Sequence, residues 1–226
     1  MVGCYKKTSG ESARGYVVRA LKTSIINLNL EPGQSVSEQE IATELGVSRT
    51  PVREAFIRLS QEDLITIYPQ RGTYISLIDL DIVAEANFLR TTLEKVVVKL
   101  ACREMSAEYL AELEVNLKLQ NVYVENKNSA KLLELDNQFH QMIFKACKKE
   151  RIYSLMESLN THYDRVRMLR LATNINLDKI LSQHWEILNA IKQQESEKAE
   201  QAMEIHLADR DIETVILKKQ YPEYFK

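Results

Sequence analysis

Between Asp79 and Pro222 the chain contains neither glycine nor proline. A stretch so long without the two residues that make turns and break helices leaves little room for a sheet, and it is compatible mainly with a succession of α-helices. Apolar residues recur along it at helical spacing, with polar breaks at "EMSAE", "ENKNS", "CKKER" and "TNINLD". These signals predict about six helices, over 79–104, 106–127, 129–147, 149–171, 177–193 and 195–217, packed as an antiparallel all-α bundle. The expected fold class is therefore mainly α.

The residues before Asp79 follow other rules. A chain of 226 residues suits two modest domains, each able to bury a core. Residues 1–11 are expected to be disordered. Residues 12–78 form the first domain, and 79–226 the helical second one. Within the first, Val17, Leu21, Ile25 and Leu28 space one helix over 12–30, stopped by "EPG". Ser37 with Glu40 three residues on reads as a capping box, and Gly46 takes the left-handed C-terminal position of a short second helix. A third helix starts at Ser48 or Thr50, with Pro51 in its first turn. "LITIY" (64–68) and "TYISL" (73–77), joined by "PQRG", read as a β-hairpin. Three helices and a hairpin in this order form a winged helix-turn-helix.

Cys4, Cys102 and Cys147 form neither a CxxC pair nor an even framework, which points to free thiols in a reducing compartment. With no signal-peptide core and no apolar run near ~20 residues, a cytoplasmic location and no membrane are expected. Net charge is −2, made of 9 basic and 8 acidic residues up to residue 78 (+1) and 21 basic and 24 acidic after it (−3). Neither half announces nucleic acid by charge alone, so the placement of individual residues must carry that reading.

That placement is specific. Arg49, Thr50 and Arg53 stand at the start of the third helix, where side chains reach base edges and backbone N–H groups face phosphate. Arg71 and Gly72 stand at the hairpin tip, suited to a wing lying against the sugar-phosphate backbone. The run "SEQEIATELGVSRTPVREAFIRLSQEDLITIYPQRGTYIS" closely resembles the DNA-binding domain of GntR-type bacterial transcription regulators, with Phe56 in place of the usual leucine and Asp63 in place of a common glycine. The resemblance implies DNA contacts at Arg49, Thr50, Arg53 and Gly72. Gln39 occupies a place where the family commonly has a basic contact.

The helical half holds a second constellation. Asp136 and His140, in "LELDNQFHQMIFKA", lie i and i+4 on one helix face beside Leu132, Leu133, Phe139 and Ile143, and His184 and His206 follow on later helices. One carboxylate and three imidazoles could hold a first-row metal ion, form a hydrogen-bonded cluster without one, or simply be packed side chains. Spacing alone leaves these alternatives open.

The second domain is similar to the FCD effector domain of the FadR-type branch of the GntR family, through "FLRTTLE" (88–94), "LDNQFH" (135–140), "HWEILNAI" (184–191) and "AEQAMEIHL" (199–207). The resemblance implies a divalent metal on Asp136, His140, His184 and His206, with zinc or nickel favoured and manganese or iron compatible. His162 matches no ligand and reads as a packed side chain. The resemblance also implies a small organic acid effector, with Arg90, which matches the arginine of the family's first effector-domain helix, as its charge partner, and a homodimer on a palindromic double-stranded operator. Arg167 is a second candidate partner, and either arginine could instead form a structural ion pair. The expected protein is a metabolite-responsive regulator, read as a repressor, hinged at 76–80. An enzyme is disfavoured: the chain carries no paired Glu-x-x-His, HExxH, nucleophile elbow or phosphate loop.

Overall fold

The computed structural model describes residues 2, 5–173, 176–208 and 210–226, without the side chains of 210–213. Cys4 lies outside the described residues. The chain divides into two compact units, Met1–Leu80 with Lys218–Lys226, and Asp81–Leu217.

In the first unit, α1 (Ala13–Ile26), α2 (Glu38–Leu45) and α3 (Arg49–Gln61) pack around Leu21, Ile25, Val52, Phe56 and Leu59. Ser12 caps α1 by accepting from the Gly15 N–H at 3.0 Å. The helix ends sooner than its apolar spacing predicts because Leu28 turns left-handed (φ 59) and sends Leu30 back into the core. Ser37 accepts from the Glu40 N–H at 3.1 Å to start α2, and Gly46 (φ 65, ψ 37) ends it. The tight link to α3 completes the helix-turn-helix. The hairpin β2 (Ile65–Tyr68) and β3 (Gly72–Ile75) is antiparallel, with Ile65 opposite Ile75 and Tyr68 opposite Gly72. A strand not anticipated from sequence, β1 (Ser35–Val36), pairs with β3 to give the order β1-β3-β2. Two residues are too few to show alternation.

The described part of the N-terminal segment packs on the first unit. Val2 is buried against the first core, the Tyr16 hydroxyl donates to the Tyr5 carbonyl at 2.8 Å, and Arg19 reaches the Lys6 carbonyl at 3.1 Å.

From Leu80 onward α4 (Leu80–Glu104), α5 (Ala107–Glu125), α6 (Ser129–Ala146), α7 (Glu150–Leu159), α8 (Thr161–Ala172), α9 (Leu177–Lys192), α10 (Ser196–Ala208) and α11 (Arg210–Gln220) follow one another, and all but the ends of α4 and α11 lie in the second unit. Val98, Leu113, Leu117, Phe139, Ile187, Leu188, Ala199, Met203 and Leu207 form the centre of its core. The helix expected over 149–171 is two helices that meet at Asn160, which is both the C-cap of α7 and the N-cap of α8. Every residue from Thr161 to Leu171 is buried, so α8 has no solvent face from which periodicity could place its start. The run expected over 195–217 is described as α10 and α11, on either side of Asp209, which lies outside the described residues. Lacking glycine, the chain turns between helices with Lys127, Lys148, Asn176 and Gln194 at positive φ, from 52 to 58°. Each such turn costs on the order of 1 kcal/mol.

The C-terminal residues Lys218–Lys226 group with the first unit. Phe225 pairs with Ile78 in a parallel bridge, the Ile78 N–H donates to the Tyr224 carbonyl at 2.8 Å, and the Lys226 N–H donates to the Ile78 carbonyl at 3.0 Å. Burial of Ile78 and Phe225 holds this tail in the first unit. Among the described residues no helix is long and apolar enough to cross a membrane.

Candidate metal centre and nucleic-acid interface

On the first unit, Arg49 is the first residue of α3, with its side chain 65% exposed and its Nη2 3.1 Å from Glu38 Oε2. Thr50 and Arg53 are exposed beside it. Ser48 has the extended backbone of an N-cap but makes no side-chain cap, so its hydroxyl does not compete with a ligand for the N–H groups of the first turn. Gln39 is exposed and lies 3.4 Å from Thr43 Oγ1. At the hairpin tip Arg71 and Gly72 are exposed. Gln70 (φ 61) and Gly72 (φ 115) make the turn, and the Tyr74 hydroxyl ties it by donating to the Arg71 carbonyl at 3.1 Å. The structure thus brings Arg49, Thr50 and Arg53 onto one helix start, with Arg71 and Gly72 on the tip of β2–β3.

In the second unit, α6 supplies Asp136 and His140, α9 supplies His184 and α10 supplies His206. All four are buried, and one ligand atom from each lies within 4.8 Å of all the others. His184 Nε2 is 3.3 Å from His206 Nε2 and 3.7 Å from Asp136 Oδ1, and His140 Nε2 is 3.6 Å from Asp136 Oδ2. Phe139 stacks on the His184 ring at 4.4 Å and holds its plane.

The outer nitrogens of the imidazoles are also engaged. His140 Nδ1 pairs with the Glu94 carboxylate, His184 Nδ1 meets Gln120 Oε1 at 2.9 Å, and His206 Nδ1 meets Gln183 Oε1 at 3.1 Å. An oxygen beside each Nδ1 leaves the three Nε2 atoms turned toward the centre, as outer partners do for metal-ligating histidines. His140 Nε2 is buried there with no hydrogen bond. An orphaned imidazole nitrogen facing a carboxylate and two further imidazoles is compatible with a metal site.

Charge surrounds the cluster in pairs. Burial pushes the Glu94 carboxyl up, but Arg90 and His140 prevail and hold it at about 2. Burial pulls the Arg90 guanidinium down, but Glu94, Tyr163 and Asp136 together outweigh it, so its pKa is raised. Burial likewise lowers the His140 pKa, against the pull of Glu94, and favours the neutral ring that a metal needs. Arg167 donates to Asp136 Oδ2, to Asn137 Oδ1 at 2.6 Å and to Asp164 Oδ1 at 2.5 Å. Arg90 Nη2 lies 4.0 Å from the same Asp136 oxygen. Both guanidiniums lie over the Tyr163 ring, at 5.4 Å for Arg90 and 5.8 Å for Arg167.

Residues 14–75 match the bacterial regulatory proteins of the gntR family, and residues 85–209 match the FCD domain. The chain belongs to the GntR family, in its FCD class. It is 31% identical over 209 residues to the HTH-type transcriptional repressor RspR of Escherichia coli K12, covering 92% of each chain. It is 32% identical over 221 residues to an HTH-type transcriptional regulator in an unstable DNA locus of Streptomyces ambofaciens, covering 97% of this chain and 92% of the other. The fold superposes on McbR/YncC of E. coli with a TM-score of 0.79 at 22% identity, covering 93% of this chain and 99% of that one. This GntR regulator is a transcription factor, as are the relatives just named.

Sequence reasoning about this regulator missed Glu94, Gln120 and Gln183, the partners that orient the three imidazoles. A signal for Glu94 was present, since it stands four residues after Arg90 on α4 and shares its face. His162 is buried in α8 and is not part of the cluster.

Proposed function

We propose that this regulator is a metal- and metabolite-responsive repressor that binds a palindromic operator as a homodimer. The observation that carries the reading is the convergence of Asp136, His140, His184 and His206, with each imidazole held from outside by an oxygen acceptor. These four residues hold a divalent ion, zinc or nickel by preference, with manganese or iron also compatible. The ion supplies a Lewis-acidic position that takes an oxygen of a small carboxylate.

The charge of the site supports an anionic effector. Arg90, Arg167, Glu94, Asp136 and Asp164 are in mutual contact and together carry −1 with neutral histidines. A divalent ion raises that to +1, and a monocarboxylate then restores neutrality in a buried space where net charge is unfavourable. Arg90 and Arg167 grip the carboxylate. Arg49, Thr50 and Arg53 read bases or phosphates in the major groove, and Arg71 with Gly72 brings the wing against the backbone. The repressor reading is supported by the name of the E. coli relative.

A second reading is favoured by one contact. Arg167 already supplies a cation to Asp136 Oδ2, so the cluster could be a metal-free polar core in the same regulator. Elemental analysis of untagged protein separates the two. Near-stoichiometric metal that is lost in His184→Ala supports ligation, and a folded, operator-binding protein without metal refutes it. On a selected operator, the cognate carboxylate is expected to change DNA affinity by roughly 5–150-fold, the range of ~1–3 kcal/mol of coupling.

A further inference from the structure

The hydrogen bonds behind His184 run in one direction. The Leu135 carbonyl can only accept, and Asn116 Nδ2 donates to it at 3.1 Å. Asn116 Oδ1 therefore faces away from Leu135 and accepts from Gln120 Nε2 at 2.8 Å. That contact commits the amide nitrogen of Gln120, so its Oε1 is the atom 2.9 Å from His184 Nδ1. Turning either amide over would set two oxygens against each other in a buried space, Gln120 against Asn116 or Asn116 against Leu135. Asn116, Gln120 and His184 are all buried, so water does not relax the choice.

We propose that Asn116 and Gln120 are positioning residues that fix His184 as its Nδ1–H tautomer and so keep its Nε2 lone pair aimed at the cluster. The relay starts from a main-chain carbonyl of α6, the helix that carries Asp136 and His140. It passes through two α5 residues one turn apart and ends on α9. Only the consequence for metal binding rests on the metal reading above. The tautomer follows from the amides.

The test uses the full chain, labelled with 15N-histidine and stripped with a chelator. Long-range 1H–15N correlation spectra should show His184 protonated on Nδ1, with the signal assigned by its loss in His184→Ala. Gln120→Met removes the acceptor and should abolish that pattern. Gln120→Glu keeps an acceptor oxygen towards His184 and should retain it. Zinc affinity, measured against a chromophoric chelator, should fall about 10–100-fold in Gln120→Met and stay near the parent value in Gln120→Glu. Both variants disturb the Asn116 contact, so a merely structural role would weaken them alike. A parent spectrum with His184 protonated on Nε2 overturns the relay, whatever metal the protein takes up. Parent-like zinc affinity in Gln120→Met overturns the positioning role. An Nδ1–H His184 in a protein that takes up none of zinc, nickel, manganese or iron sinks the metal reading and leaves the relay standing.

Discussion

Glu94→Gln tests whether the buried charges of the cluster are organised around one carboxylate. Glu94 is 1% exposed, pairs with Arg90 Nε and His140 Nδ1, and has its pKa held at about 2 from an ordinary 4.5. At about 1.36 kcal/mol per unit that depression corresponds to roughly 3 kcal/mol of stability, as an order of magnitude. The sign follows from the folded value lying below the unfolded one. The contribution is fully present above pH 4.5 and is lost as pH falls through 2, with about 2 kcal/mol of it gone by pH 3. Replacing the carboxylate by an amide leaves the Arg90 guanidinium buried without its main counter-charge, and removing one partner of a buried pair costs about 3–5 kcal/mol. Trp185 is the one tryptophan of the chain and packs against the core of the helical unit, so its fluorescence follows urea unfolding of that unit. In chelator-treated protein the gap between parent and variant should be about 3–5 kcal/mol at pH 7 and should narrow toward pH 3. Parallel pH dependences, or a gap under about 1 kcal/mol at pH 7, would refute the reasoning.

Three further outcomes are expected. Arg49→Ala and Arg53→Ala should each weaken binding to a selected operator by ~1–3 kcal/mol, measured by anisotropy at fixed salt, while leaving the melting temperature unchanged because both side chains are exposed. Gly72→Ala places a Cβ at φ 115, 3.4 Å from Tyr74 Cε2; it should destabilise the first unit by about 1–3 kcal/mol and lower DNA affinity, both absent if the wing tip adapts freely. Phe139→Ala removes a fully buried ring stacked on His184; calorimetry should show a loss of about 3–5 kcal/mol, accompanied by weaker metal uptake.

The fold was legible where local chemistry fixes it. The Ser37 cap, the Gly46 terminus and the glycine at the hairpin tip each leave a residue-specific mark, and each is found in place. The features that escaped depend on distant partners. Strand β1 exists because β3 is beside it, and the tail at Phe225 belongs to the first unit because Ile78 accepts it. The break at Asn160 was hidden for a different reason: α8 is buried on every side, which erases the amphipathic period that marks a helix boundary.

The site was legible to the same degree and for the same reason. Asp136 and His140 announce themselves as two polar residues one turn apart on a helix face that is otherwise apolar, and the face is buried as that pattern requires. Asn116 and Gln120 carry the same mark, one turn apart on α5 and sharing their buried face with Leu113 and Leu117. Arg90 and Glu94 carry it on α4. A buried polar pair at i and i+4 must find partners on another helix or forfeit its solvation, so each such pair predicts another. In this bundle each pair finds its partners on another helix: Glu94 on His140, Gln120 on His184, and Asn116 on the main chain of the helix that bears Asp136. Spacing on one helix reveals the pairs, and only the packing of α4, α5, α6 and α9 reveals which pair answers which.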